Sequence, residues 1–221
     1  MKLLVFDVEG TIFKTKIRLP NTKLDSTIWQ AIANELGSEA IKEEIETHRK
    51  WETGIYSNYL EWMLDTIRIH KKYELSKTDF YRIINQAEYN EGVLEFFSWL
   101  NRDQFIPVLI SGGFQNLSER AQKDLGIHHS FTACQYFFNN KEVLESFNLL
   151  PCDFLGKVSF IEILLEEYKI SDRDWIFVGD GINDIEIAKK APLSFGFNPH
   201  QELAKYVNYI ISDCTEIEEL L

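Results

Sequence analysis

The sequence predicts an α/β protein: a doubly wound, mostly parallel sheet interrupted early by a block of helices. Three observations carry this. Leu3 to Phe6 is an apolar run with no polar face, the pattern of a strand buried on both sides; it stops on Asp7, and Gly10 supplies the turn. Trp175 to Val178 repeats the pattern far along the chain and runs into Gly179-Asp180-Gly181-Ile182-Asn183-Asp184. From Tyr89 onward, candidate strands alternate with candidate helices, which predicts parallel pairing with right-handed crossovers.

The helical block runs from about Leu24 to Glu88. Asp25 or Ser26 can cap a first helix that carries Ile28, Trp29, Ile32 and Leu36 on one side and stops at Gly37. Ser38 can cap a second, with Ile41 and Ile45 four apart; Ser57 can start a third through Leu60, Leu64 and Ile67; Ser76 can cap a fourth through Phe80, Ile83 and Ile84. The acidic run Glu43-Glu44-Ile45-Glu46 reads as a solvated face, and Trp51, Tyr56, Tyr59 and Trp62 as packing within the block, one or two of them possible pocket residues. After it come a helix over 91–100, a strand over 106–110 that tolerates Pro107 near its start, and a helix from about Gln115 to Leu125 stopped by Gly126. Residues 131–138 read as extended and 139–155 carry no clear pattern. Then follow a helix over 156–168, strands at 175–178, 193–197 and 207–211, and helices over 183–190 and near 200–205.

The chain has 221 residues, enough for one large domain or a core with a smaller companion, and its apolar content of 45% is ordinary for a globular protein. A net charge of −12 argues against a general nucleic-acid or anionic-membrane surface. Cys134, Cys152 and Cys214 are odd in number and lack metal-ligand spacing, so a reduced, cytoplasmic chain fits best. The five histidines show no ligand pattern either. Met1-Lys2 lead straight into a strand, which reads as no signal peptide, and no apolar run has the length of a membrane span.

In open α/β sheets ligands bind beyond the carboxyl ends of the strands, where the strand order reverses. Two such ends side by side gather Asp7, Glu9, Asp180 and Asp184 in one small volume. That crowding is costly unless a cation neutralises it, and a hard cation with oxygen ligands, Mg²⁺ above all, answers it.

Four stretches together carry a family resemblance. Phe6-Asp7-Val8-Glu9-Gly10-Thr11 resembles the first motif of the haloacid dehalogenase superfamily of phosphohydrolases, with Glu9 where Asp is usual. Ile110-Ser111-Gly112-Gly113 resembles the second, Lys157 the third, and Gly179 to Asp184 the fourth. Each alone is a weak signal; four in order cover essentially the whole chain. The branch resembled is the phosphoserine phosphatase group, whose second motif also reads Ser-Gly-Gly-Phe. The resemblance implies a Rossmann-like core over 1–15 and 89–221, with a small helical cap over 16–88 that closes over the site.

The same resemblance implies roles. Asp7 is the nucleophile, passing through an aspartyl-phosphate. Glu9 is general acid and base, or contributes only a backbone carbonyl to the metal. Lys157 stabilises charge on the phosphoryl group and on Asp7. Thr11, Ser111, Gly112, Gly113 and Asn183 fall at phosphate- and substrate-binding positions. Asp7, Glu9 and Asp180 fall at metal positions, with Asp184 either a ligand through water or an acceptor that holds Lys157. The activity implied is Mg²⁺-dependent hydrolysis of a small phosphorylated metabolite, with no nucleic-acid or membrane partner. Phosphotransfer to a small alcohol and a silent phospho-ligand binder are the alternatives. The positions where that group holds the ammonium and carboxylate of phosphoserine fall on Lys16 and near Met63, which argues for another substrate. Arg49 and Arg68 lie near enough in sequence to substitute.

Overall fold

The structure, a computed structural model, describes residues 1–18 and 25–221. Leu24, where the helical pattern begins in the sequence, and the Asp25 side chain lie outside the described residues. In chain order the elements are β1 (Lys2–Phe6), β2 (Ile17–Arg18), β3 (Asp25–Ser26), α1 (Ile28–Leu36), α2 (Ser38–Glu52), α3 (Tyr59–Lys72), α4 (Lys77–Ile84) and α5 (Val93–Trp99). They continue with β4 (Phe105–Phe114), α6 (Gln115–Leu125), β5 (His129–Phe138), β6 (Leu144–Leu149), α7 (Leu155–Tyr168), β7 (Trp175–Gly179), α8 (Ile185–Lys190), β8 (Leu193–Phe197) and β9 (Tyr209–Ile211).

Seven strands form one sheet in the order β6-β5-β4-β1-β7-β8-β9. β1 pairs in parallel with β4 and β7, and β7 with β8 and β8 with β9 likewise, whereas β5 and β6 are antiparallel. The doubly wound, mostly parallel α/β fold is therefore present. β1 has no polar face because both faces are covered. Leu3 and Val5 pack with Val158, Ile161 and Leu164 of α7. On the other face the Phe6 ring meets Phe96 and Phe97 of α5 at 6.0 and 5.1 Å. Each such fully buried side chain contributes about 1.5–3 kcal/mol.

The described residues divide into two compact units. One comprises Met1–Lys14, Glu88–Ala133 and Leu150–Leu221; the other comprises Thr15–Ala87 and Cys134–Leu149. The second unit thus holds more than the helical block of the sequence pattern. The end of β5 and all of β6, which the sequence pattern left with the core, join it. The reason is local bonding: the Leu144 N–H donates to the Leu75 carbonyl at 2.9 Å, and Phe80 of α4 packs on Tyr136 and Phe138 at 5.3 and 5.7 Å. Within this unit Trp51 and Trp62 stack at 5.2 Å, with Tyr59 edge-on to both, so these aromatics hold α2 to α3.

Four helices stand where the periodicity places them, but three begin differently. α1 is capped by Thr27 in a capping box with Gln30, not by Asp25 or Ser26; Ser26 ends β3 instead. α2 starts at Ser38 behind Gly37, with no side-chain cap. α3 is capped by Asn58, one residue past Ser57, whose side chain accepts from the Glu61 N–H. Ser76 does cap α4 and Gly126 does stop α6. The larger correction concerns α2. Its buried face is Ala40, Glu44 and Thr47, whereas Ile45 is 60% exposed. Glu44 therefore sits inside the helical unit and not on a solvated face. β4 also runs on through Ser111-Gly112-Gly113 to Phe114, and the stretch without a clear pattern contains β6. The fourth-motif helix is a short 3₁₀ turn at Ile182–Asp184 leading into α8, and a further 3₁₀ segment, Cys214–Leu220, follows β9.

Candidate active site

The winding reverses at β1. The chain runs outward from it through β4 to β6 on one side, and through β7 to β9 on the other. Phe6 lies opposite Leu109 and Val178, so Asp7 emerges between the carboxyl ends of β4 and β7, its N–H on the Val178 carbonyl at 2.9 Å. Lys157 lies in the first turn of α7, fully buried. Its ammonium donates to Asp7 Oδ1 at 2.5 Å and Asp184 Oδ1 at 2.6 Å, with Asp153 Oδ1 at 3.5 Å. A buried cation survives only when paired, and here three carboxylates surround it. Burial opposes the charge, but Asp184, Asp7 and Asp153 together hold the Lys157 pKa well above its ordinary value.

Asp184 is fully engaged. Oδ1 accepts from Lys157 while Oδ2 accepts from the backbone N–H groups of Asp180 and Gly181, each at 3.0 Å. Asp180 accepts at Oδ1 from the Thr11 hydroxyl at 3.3 Å. Asp7, Asp180 and Asp184 each offer an oxygen within 4.8 Å of the others. Burial, then the neighbouring carboxylates, push the pKa of Asp180 up to about 8. Burial raises Asp7 well above the carboxylate range against the pull of Lys157, with Asp184 and Asp180 adding to the rise. One ammonium does not balance this set. Excess carboxylates with hard oxygen donors fit a divalent cation such as Mg²⁺.

The Glu9 side chain lies beside the same cluster, near Asp153, Asp180 and Gly113. The Phe114 backbone N–H bonds its carboxylate, Oε1 is buried without a partner, and burial followed by the Asp153 charge pushes its pKa up to about 7. Oε1 lies against Gly113, in the space a Cβ there would occupy, so a side chain at 113 would displace the Glu9 carboxylate from this position. The Ser111 hydroxyl accepts from the Gly113 N–H at 3.0 Å, which leaves its own hydrogen to donate. Asn183 Nδ2 donates to Asp153 Oδ1 at 2.8 Å. The site residues picked out in the sequence are therefore together in one unit, with Thr11 turned to Asp180. Asp153 is the addition. It precedes Lys157 by four residues, but the stretch holding it shows no periodicity that would direct it inward.

A family model described as haloacid dehalogenase-like hydrolase matches residues 1–192. The chain belongs to that family. Among curated proteins, a phosphoserine phosphatase of Archaeoglobus fulgidus is 23% identical to this chain over 218 residues, covering 96% of this chain and 56% of that protein. The chain thus corresponds to little more than half of that relative. A phosphoserine phosphatase of Methanocaldococcus jannaschii is 25% identical over 203 residues, covering 89% of this chain and 85% of that protein. A solved structure described as a phospho-aspartyl intermediate analogue of phosphoserine phosphatase superposes with a TM-score of 0.80 at 21% identity, covering 100% of this chain and 98% of that one. At that identity the match shows the shared fold.

Proposed function

We propose that this hydrolase cleaves a small phosphomonoester with the help of a divalent cation, through an aspartyl-phosphate on Asp7. The observation that carries the reading is the buried Lys157 ammonium shared by Asp7 and Asp184, with Asp180 alongside. Asp7 and Asp180 would hold the cation together with the Glu9 carbonyl, and the cation would supply positive charge to the phosphoryl oxygens. Asp184 holds Lys157 and the Asp180 backbone in place. Ser111 and the backbone of Gly112 and Gly113 cradle the phosphoryl oxygens, as glycine-rich backbone suits a closely approaching anion.

An Asp7 oxygen forms its bond to phosphorus as the bond to the leaving oxygen breaks. Lys157 balances the charge at Asp7 throughout. Protonated Glu9 gives its proton to the leaving alkoxide, then takes one from the water that attacks the phosphorus and frees Asp7. A carboxyl near pH 7 suits both halves of that exchange. The three cysteines are buried and form no disulfide, which supports a reducing, cytoplasmic setting. Among the described residues no helix is long and apolar enough to cross a membrane.

Phosphoserine is the first substrate to try, given the relatives' names. Lys16 is exposed, Met63 is buried, and Arg49 and Arg68 are exposed and paired with Glu46 and Asp65. None of these offers the ammonium or carboxylate of phosphoserine a ready partner, so we expect another ester to be preferred. The test is steady-state hydrolysis of a panel of small phosphomonoesters, phosphoserine included, with Mg²⁺ or EDTA and with or without added alcohols. The expected result is EDTA-sensitive phosphate release with phosphoserine below the best substrate. Full activity after chelation contradicts the metal. Phosphoryl transfer to an alcohol in preference to water would make the chain a transferase.

A further inference from the structure

We propose that Asp153 is a positioning residue of this site: it fixes the Asn183 amide, and through it the substrate. The inference rests on the phosphomonoesterase reading for what Asn183 touches, but not for the contact itself.

Asp153 is 8% exposed and lies just before α7. Its Oδ1 accepts from Asn183 Nδ2 at 2.8 Å. At the other end of that amide, Asn183 Oδ1 lies so close over Gly181 that a Cβ there would overlap it. The amide nitrogen is therefore held against a carboxylate, and its oxygen fills the space that the missing Gly181 side chain leaves. Hydrogen bonds to an ionised acceptor are the stronger kind, and a side chain so held is pre-organised for whatever its remaining N–H and carbonyl meet.

Asp153 also faces the Lys157 ammonium, but it is the most distant of the three carboxylates around it. Lys157 already has Asp7 and Asp184 at bonding distance, while Asp153 stands off at 3.5 Å, and burial raises its pKa. A further buried acid beside Asp7 and Asp184 adds repulsion. The Lys157 charge, the bond from Asn183 and the Phe154 backbone N–H offset it, and of these the Asn183 bond is the one that fixes another side chain of the site. Phe154, the next residue, has φ 48° and ψ −126°, a backbone state outside the ordinary regions.

The test uses the whole chain. In ¹⁵N-labelled protein without substrate, the two Nδ2 protons of Asn183, assigned by their loss in Asn183→Ala, should be distinct and protected from solvent. Asp153→Ala should move them to free-amide positions, and Asp153→Asn, which keeps an acceptor oxygen, should restore them. On the best ester of the panel with Mg²⁺, Asp153→Ala should raise KM about tenfold or more while kcat changes less than about threefold. Asp153→Asn should recover most of that loss. In an Asn183→Ala background, Asp153→Ala should add less than about twofold.

Unchanged Asn183 signals in Asp153→Ala overturn the clamp. Released signals with unchanged KM overturn its link to substrate. Effects that multiply in the double variant route Asp153 through Lys157 and overturn the assignment. If Asp153→Ala does not fold, Asp153→Ser carries the same arms. If the wild type hydrolyses none of the panel, the phosphatase reading fails, while the amide spectra still decide the clamp.

Discussion

Both units bury ionisable groups, and they treat them in opposite ways. In the α/β unit, Lys157 stays charged and draws Asp7, Asp153 and Asp184 around it, so the buried ammonium has three charged neighbours, and among the described residues Glu9 is the one acid beside them with an unpartnered buried oxygen. In the helical unit, Glu44 and His70 are buried with Glu44 Oε2 and His70 Nε2 unpartnered, and their neighbours are neutral. Thr66 bonds the Glu44 carboxylate, and the Tyr136 hydroxyl lies 2.7 Å from His70 Nδ1. Burial pushes Glu44 up to about 7 and His70 down to about 3, so both favour the uncharged form. A charged cluster is costly and poised for a charged ligand; neutral polar groups fix packing and wait for nothing.

Removing the cation should have the largest effect. Lys157→Met leaves Asp7, Asp153 and Asp184 facing one another without compensation, and breaking a buried ion pair by one partner costs about 3–5 kcal/mol. Urea unfolding with and without Mg²⁺ should show that loss, with Mg²⁺ recovering part of it. A variant as stable as wild type in EDTA would mean that the carboxylates are already protonated, and that the two units do not differ as described.

The helical unit responds to pH instead. A carboxyl whose folded pKa lies above its unfolded value binds an extra proton when folded, so stability falls as pH rises from about 4.5 to about 7. Glu44→Gln should remove about 3 kcal/mol of that fall, read as a slope relative to wild type. His70 has the opposite sign: its folded pKa is depressed, so stability is lost as pH drops below about 6.5 toward 3. His70→Gln should tilt the wild-type-minus-variant profile the other way. Parallel profiles for wild type and Glu44→Gln would show that Glu44 is ionised and paired.

Much of the α/β unit is legible in the sequence because two-sided burial makes a strand continuously apolar. Leu3 to Phe6 and Trp175 to Val178 announce themselves, and their carboxylates follow at the strand ends. Residues whose burial depends on packing are not legible. Ile41 and Ile45 mark an apolar face of α2, yet the helix turns Ala40, Glu44 and Thr47 inward, since partners and not periodicity alone choose the phase. Asp153 is hidden for a similar reason: a short irregular loop aims it, and Asn183, its partner, lies 30 residues away. The β5–β6 hairpin joins the helical unit through bonds to Leu75 and packing on Phe80, contacts no local pattern encodes.

The central claim is that an Asp7 oxygen becomes phosphorylated. The direct measurement is the intact mass of protein quenched in acid during turnover of the best ester, with peptide mapping of the modified site. The account predicts one phosphoryl group on Asp7 in wild type, discharged by hydroxylamine. It predicts none in a folded Asp7→Asn variant, whose turnover should fall by about four orders of magnitude, the scale of losing a nucleophile. A folded Asp7→Asn protein that turns over near the wild-type rate, or a phosphoryl group mapped elsewhere, would contradict it.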